Sequence, residues 1–146
     1  MVIHGRNETK LTGVVERLRA QYPECKIDSV LADLSRPESV QTLISAIENK
    51  KVTLFINNAA ATSASFSLFD YMTDEQIDGV IRIGVQSITH LTRGVIPILL
   101  RNGPATLINI GSAAGSNSIP YISLYAASKG YLLLMSPSKT HIIQLS

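Results

Sequence analysis

Tyr125-Ala126-Ala127-Ser128-Lys129 sets a phenol and an ammonium four residues apart. On a helix, positions i and i+4 share a face. An ammonium one turn from a phenol favours the phenolate and brings proton transfer within reach of neutral pH. By itself the spacing also describes an ordinary helix pair. Thirteen residues earlier, Ser112 sits in Asn109-Ile110-Gly111-Ser112-Ala113-Ala114-Gly115. That segment directly follows an apolar, β-rich run, and ligands of open α/β sheets bind outside the carboxyl ends of strands. Ser112 is therefore placed either to meet a substrate or to cap a turn. Asn57-Asn58-Ala59-Ala60 follows another such run. Its amides suit pinning of neighbouring backbone, and its small residues suit close approach of a flat ligand; a plain turn is the other reading.

Several elements must position these groups. Met1–His4 reads as a strand. Asn7 then caps a helix carrying Leu11, Val14, Val15 and Leu18, which Tyr22-Pro23 ends. Lys26–Leu31 is a second strand, and Ser35-Arg36-Pro37-Glu38 is a capping box for a helix with Val40, Leu43, Ile44 and Ile47 on one face. Val52–Ile56 is apolar throughout, as a strand covered on both faces would be. Thr73-Asp74-Glu75-Gln76 opens a long helix reaching about Asn102, with Pro97 near its end. Ala105–Ile110 is a fourth strand, and a last helix starts near Leu124. Strand–helix alternation at this spacing implies an α/β fold with a parallel sheet. Beyond Met135 no helix continues.

Composition narrows the function. The chain has 146 residues and 45% apolar content, enough for one domain with a core. Its net charge is only +2, and no run of five or six like charges occurs, so nucleic acid is not an expected partner. A single cysteine, Cys25, rules out a disulfide framework and suits a reducing compartment. His4, His90 and His141 lie far apart, so no metal site is expected. Apolar runs of about six residues fall short of the roughly 20 that a membrane span needs, and the chain reads as cytoplasmic.

The order of motifs is distinctive: Gly5-Arg6-Asn7 after the first strand, Ala32-Asp33-Leu34-Ser35 after the second, Asn57-Asn58-Ala59-Ala60 after the third, then Ile110-Gly111-Ser112-Ala113-Ala114-Gly115 and Tyr125-x-x-x-Lys129. Over about residues 1–136 this resembles the short-chain dehydrogenase/reductase family, and within it the 17β-hydroxysteroid dehydrogenase and 3-oxoacyl-CoA reductase group. The resemblance implies a partial Rossmann-like doubly wound sheet, with residues 137–146 a divergent tail. It implies hydride transfer between a nicotinamide and a carbonyl carbon, with Tyr125 as proton donor or acceptor. Ser112 would hold the carbonyl oxygen, and Lys129 would lower the Tyr125 pKa and hold the nicotinamide ribose. Asn57 and Ala59 would lie against the cofactor near its adenosine-side ribose, and Asp33 with Leu34 against the adenine. An acidic residue commonly ends the second strand of the family and binds the ribose 2′-hydroxyl of NAD. Here Gly5 stands there, followed by Arg6, which favours NADP because a guanidinium clamps a 2′-phosphate. A solvated surface arginine is the other reading of Arg6.

The family pattern is also departed from. No Gly-rich dinucleotide loop follows a strand, so by alignment the first strand and its loop would precede Met1 and the last strands would follow the chain. The chain thus reads as truncated at both ends. Thirteen positions before Pro97 the family usually has Asn, thought to complete a proton relay; here it is Gly84. These departures set an NADP-dependent carbonyl or alcohol oxidoreductase against an inactive remnant acting at most as a binding or dimerisation module. Family members often pair into homodimers through the two long helices. Full-length relatives are expected at the endoplasmic reticulum membrane. The segment Asn117–Ser123, with Ile119, Pro120 and Tyr121, suits either an apolar lipid or steroid ketone or a loop packed into the core.

Overall fold

The computed structural model describes residues 1–61, 67–117 and 119–135, and the backbone of 141–145. They form two compact units, Met1–Lys50 and Lys51–Ser146.

In the first unit, strand β1 (Val2–Gly5) leads into helix α1 (Glu8–Gln21), strand β2 (Asp28–Leu31) and helix α2 (Glu38–Ile47). β1 and β2 are parallel, with Val2 opposite Asp28 and Gly5 opposite Leu31. Asn7 caps α1 as expected, its side chain accepting from the Lys10 amide at 2.9 Å. Leu11 and Val15 recur one turn apart and bury against Ile27, with Ile3 and Leu18 at the margin. The expected capping box at Ser35–Glu38 is not formed. The Ser35 amide that a box would give to Glu38 goes instead to Asp33 Oδ1 at 2.9 Å, and no side chain caps α2. Asp33, two residues back, closes a local Asx turn onto that amide, and Pro37, lacking an N–H, stands where a capped donor would.

In the second unit, strands β3 (Leu54–Asn57), β4 (Thr106–Ile110) and β5 (His141–Leu145) make a parallel sheet in the order β3-β4-β5. Asn57 pairs Asn109, and Asn109 pairs Gln144. Beyond the last helix, where the sequence shows no helix continuing, a parallel strand ladders onto β4 in the segment read as a divergent tail. Ladder bonds are made by backbone, so a segment lacking helical periodicity can still supply a strand. β3 corrects the expectation of burial on both faces, since Leu54 and Ile56 stay about half exposed while Asn57 is buried. The orders β2-β1 and β3-β4-β5 match the 3-2 and 4-5-6 flanks of the doubly wound order; its first strand has no counterpart among the described residues.

The helical stretch between β3 and β4 comprises α3 (Asp74–Ile81), a π turn (Arg82–Ser87) and α4 (Ile88–Arg101). Thr73 and Gln76 close the expected capping box, at 3.3 and 2.9 Å. By length and composition this 28-residue stretch is apolar enough to cross a membrane, which the short apolar runs did not suggest. Its Val80, Ile88, Leu91, Val95 and Leu99 are nevertheless buried, as in the core helix of a globular unit. Helix α5 (Ser123–Leu134) follows β4 and buries Ala126, Ser128, Lys129 and Leu132.

Leu107 on β4 is fully buried. Leu107→Ala is expected to cost about 2–5 kcal/mol, read as a lower urea midpoint at unchanged slope. Thr73→Ala, which removes a cap at the surface, is expected to cost only about 1 kcal/mol in the same measurement.

Candidate active site

The carboxyl end of β4 and the first turns of α5 bring Ser112, Tyr125 and Lys129 into one region of the second unit. Lys129 Nζ lies 6.0 Å from the centroid of the Tyr125 ring. It donates to the Ile110 carbonyl at 2.7 Å, and only 5% of the residue is exposed. Burial pushes the ammonium pKa down, because a charge loses hydration there. Ser112 takes extended backbone after β4 and opens a 3₁₀ turn (Ala113–Ser116), its Oγ accepting from the Ala114 amide at 3.2 Å. Both sequence readings of Ser112 thus meet at one residue: it caps a turn and stands at the strand end. No hydrogen bond joins Ser112 to Tyr125 among the described residues.

Three glycines and a serine bring the backbones around α5 into contact. A Cβ on Gly115 would come within 2.8 Å of the Gly130 amide nitrogen, and one on Gly130 within 2.9 Å of the Gly115 carbonyl oxygen. A Cβ on Gly84, in the π turn, would meet Ser128 Cβ at 2.8 Å. Ser128 Oγ in turn donates to the Tyr125 carbonyl at 2.7 Å. Gly84 is therefore a packing residue as well as a departure from the family Asn: the space an Asn side chain needs is taken by α5. The hydroxyl of Tyr131, also on α5, shares a hydrogen bond at 2.6 Å with that of Thr89 on α4.

Asn57, at the end of β3, is buried. Its Nδ2 donates both hydrogens inside the unit, to Thr92 Oγ1 and to Asn109 Oδ1, each at 2.9 Å. Asn109 Nδ2 donates to the Met135 carbonyl at 3.2 Å, just past the end of α5. A buried amide with in-register polar partners is satisfied there. Asn109 and Thr92 were not singled out from sequence. The available signal was an asparagine at the same register in two consecutive parallel strands. Ala59 is half-buried beyond β3.

In the loop after the 3₁₀ turn, Ile119 and Tyr121 are 37% and 54% exposed rather than packed into the core. Tyr121 has φ of 67°, a left-handed conformation that costs a non-glycine residue energy. The Ser67 amide donates to its carbonyl at 3.1 Å. In the first unit, Arg6 is exposed just past β1, Leu34 is buried, and Asp33 lies between them in the loop after β2. The Ser35 amide holds the Asp33 carboxyl below the usual range, with Arg6 and Arg36 adding to the effect.

Gly84→Ala gains about 1 kcal/mol of helix propensity, yet a net loss of about 1–3 kcal/mol is expected from overpacking against Ser128. In a double-mutant cycle, Ser128→Gly should relieve that loss and Ser128→Ala should not, since the contact is with Cβ. The pH dependence of stability follows from Lys129. Its folded pKa is below the ordinary 10.5, so the native state binds fewer protons than the unfolded state over the intervening range. Stability should rise with pH up to about that value relative to Lys129→Met, measured as the difference between their unfolding curves.

Comparison with known proteins bears on the family and the fold. The short chain dehydrogenase family profile matches residues 1–140. A very-long-chain 3-oxoacyl-CoA reductase of Anas platyrhynchos is 31% identical over 134 residues, covering 87% of this chain and 41% of the relative. A short-chain dehydrogenase from Sphingobium yanoikuyae in complex with NADPH superposes with a TM-score of 0.81 at 28% identity, covering 90% of this chain and 51% of that one. A 7β-hydroxysteroid dehydrogenase structure gives 0.82 at 25%, covering 90% and 50%. The chain spans about half the length of the relatives it matches. With nearly its whole length matched by the family profile, this chain belongs to the short chain dehydrogenase family of oxidoreductases.

Proposed function

We propose that this chain carries the reacting groups of an NADP-dependent oxidoreductase interconverting a ketone and a secondary alcohol. The observation that carries the reading is the set on α5 and its neighbouring strand end: Tyr125 with Lys129 buried one turn away, and Ser112 opening the turn after β4. A bound nicotinamide supplies or takes the hydride. Tyr125 then gives its phenolic proton to the carbonyl oxygen, or takes one from the alcohol, and the Ser112 hydroxyl donates a hydrogen bond to that oxygen. Lys129 has three hydrogens, and the Ile110 carbonyl takes one; the others suit ribose hydroxyls. In the first unit, Arg6 suits a ribose 2′-phosphate and the loop Asp33–Leu34 suits an adenine. The NADPH complex of the Sphingobium relative supports the same cofactor. The exposed apolar loop around Ile119 and Tyr121, with relatives named for long-chain acyl and steroid substrates, supports an apolar ketone.

The test is NADPH consumption with a long-chain or steroid ketone, followed by absorbance. Tyr125→Phe is expected to lower the rate by about 10²–10⁴-fold, and an undiminished rate would overturn the reading. A second reading has a specific observation behind it: Gly84 is packed against Ser128 where the family has a relay Asn. On that reading the chain is an inactive remnant that serves at most as a binding or dimerisation module. It predicts thermal stabilisation by NADPH without turnover.

A further inference from the structure

Helix α5 carries the proposed proton donor, and two turns touch it closely. The 3₁₀ turn that Ser112 opens meets it where Gly115 faces Gly130, and the π turn meets it where Gly84 faces Ser128. Contacts of this kind set how near the segments come. They have no preferred direction and tolerate small rotations of the helix about its axis, whereas a hydrogen bond is directional. A directional bond toward the π turn runs through Tyr131. Thr89 Oγ1 donates its single hydrogen to the Val85 carbonyl at 2.6 Å. The Tyr131 hydroxyl, 2.6 Å from Thr89 Oγ1, is therefore the donor between the two hydroxyls. The Val85 carbonyl also accepts from the Ile88 amide. The chain of bonds Tyr131–Thr89–Val85 thus ties α5 to the residue that follows Gly84.

Ser128 and Tyr131 are three residues apart and share a face of α5. Successive residues of the π turn meet that face, Gly84 by contact and Val85 through the bonded hydroxyls. Tyr125 lies about one turn before Ser128, whose hydroxyl donates to its carbonyl at 2.7 Å. Ser112 stands on the separate 3₁₀ turn, so any rotation of α5 moves Tyr125 relative to it. Displacing a reacting group by about 1 Å can cost on the order of 100-fold in rate. A rotation too small to unfold the chain is therefore large enough to read in turnover. We propose that Tyr131 is a positioning residue for the reaction: its hydroxyl, through Thr89 and the Val85 carbonyl, fixes the rotation of α5 against the π turn and with it the place of Tyr125 relative to Ser112. This rests on the oxidoreductase reading above and adds to it a residue that acts through the helix rather than on a reacting atom.

Steady-state kinetics of the whole chain with NADPH and a long-chain ketone test the proposal. Tyr131→Phe keeps the ring and removes the hydroxyl. It is expected to lower kcat by about tenfold while each KM stays within about twofold, because the interaction serves the reacting geometry and not binding. Thr89→Val should lower kcat by a similar factor. The two changes together should cost no more than about twofold beyond either alone, since both break one chain of bonds. Thr89→Ser restores the hydroxyl and should recover most of the rate. A Tyr131→Phe chain that melts earlier but keeps its kcat overturns the proposal, as does a loss confined to KM or a Thr89→Ser chain no faster than Thr89→Val. If Tyr131→Phe fails to fold by circular dichroism, the contrast between Thr89→Val and Thr89→Ser decides. If the unaltered chain turns nothing over, the oxidoreductase reading falls and this proposal falls with it; if only the Tyr131 and Thr89 variants match the unaltered rate, that reading stands and this one fails.

Discussion

The arrangement of the second unit depends on how the end of β4 holds α5. Two consecutive β4 residues reach that helix by different means. Ile110 offers its carbonyl to Lys129 Nζ, and Asn109 gives its amide to the Met135 carbonyl beyond the helix end. The first contact fixes the middle of α5 through a buried cation. The second satisfies a carbonyl that a helix terminus leaves without an intrahelical partner. Asn109 is fully buried, so its own polar atoms must be matched, and Asn57 and Thr92 complete the network from β3 and α4. Leaving one such group unmatched costs about 1–3 kcal/mol. Asn57, Asn109 and the helix end therefore constrain one another.

Close backbone contact supplies the remaining constraint. Hydrogen bonds set α5 along its axis, while Gly115, Gly130 and Gly84 allow neighbouring segments to approach it at distances a side chain forbids. The π turn at Arg82–Ser87 lies in one of these contacts. Such turns widen the helix locally and are frequent at functional sites. Gly84 thus exchanges the side chain typical of the family for close packing on Ser128, whose hydroxyl bonds the Tyr125 carbonyl. The exchange bears on the proposed chemistry through the position of α5, not only through a missing amide.

The first unit poses a different problem, that of charge at a strand end. Its core is a small apolar set around Leu11, Val15 and Ile27. Its polar features gather where β1 and β2 stop. There Asp33 accepts from the Ser35 amide and fixes the loop after β2 that leads into α2. One hydrogen bond therefore displaces the expected helix cap.

Much of this was legible in the residues. Periodicity located the strands and helices to within a few positions, Asn7 and Thr73 announced their caps, and Tyr125, Lys129 and Ser112 stood out by type and spacing because local rules govern them. The sequence by itself determined the α/β alternation, the family and the chemical character of the candidate site residues. Tertiary structure alone decided that the Asn57 amide bonds Thr92 and Asn109, that Ser35 yields its amide to Asp33, that the space beside Gly84 is filled by Ser128, and that the tail ladders onto β4 as β5. Each of these depends on what another segment places nearby. A buried amide bonds the partner it meets, a glycine shows its purpose only against the backbone that approaches it, and a strand needs a ladder to exist.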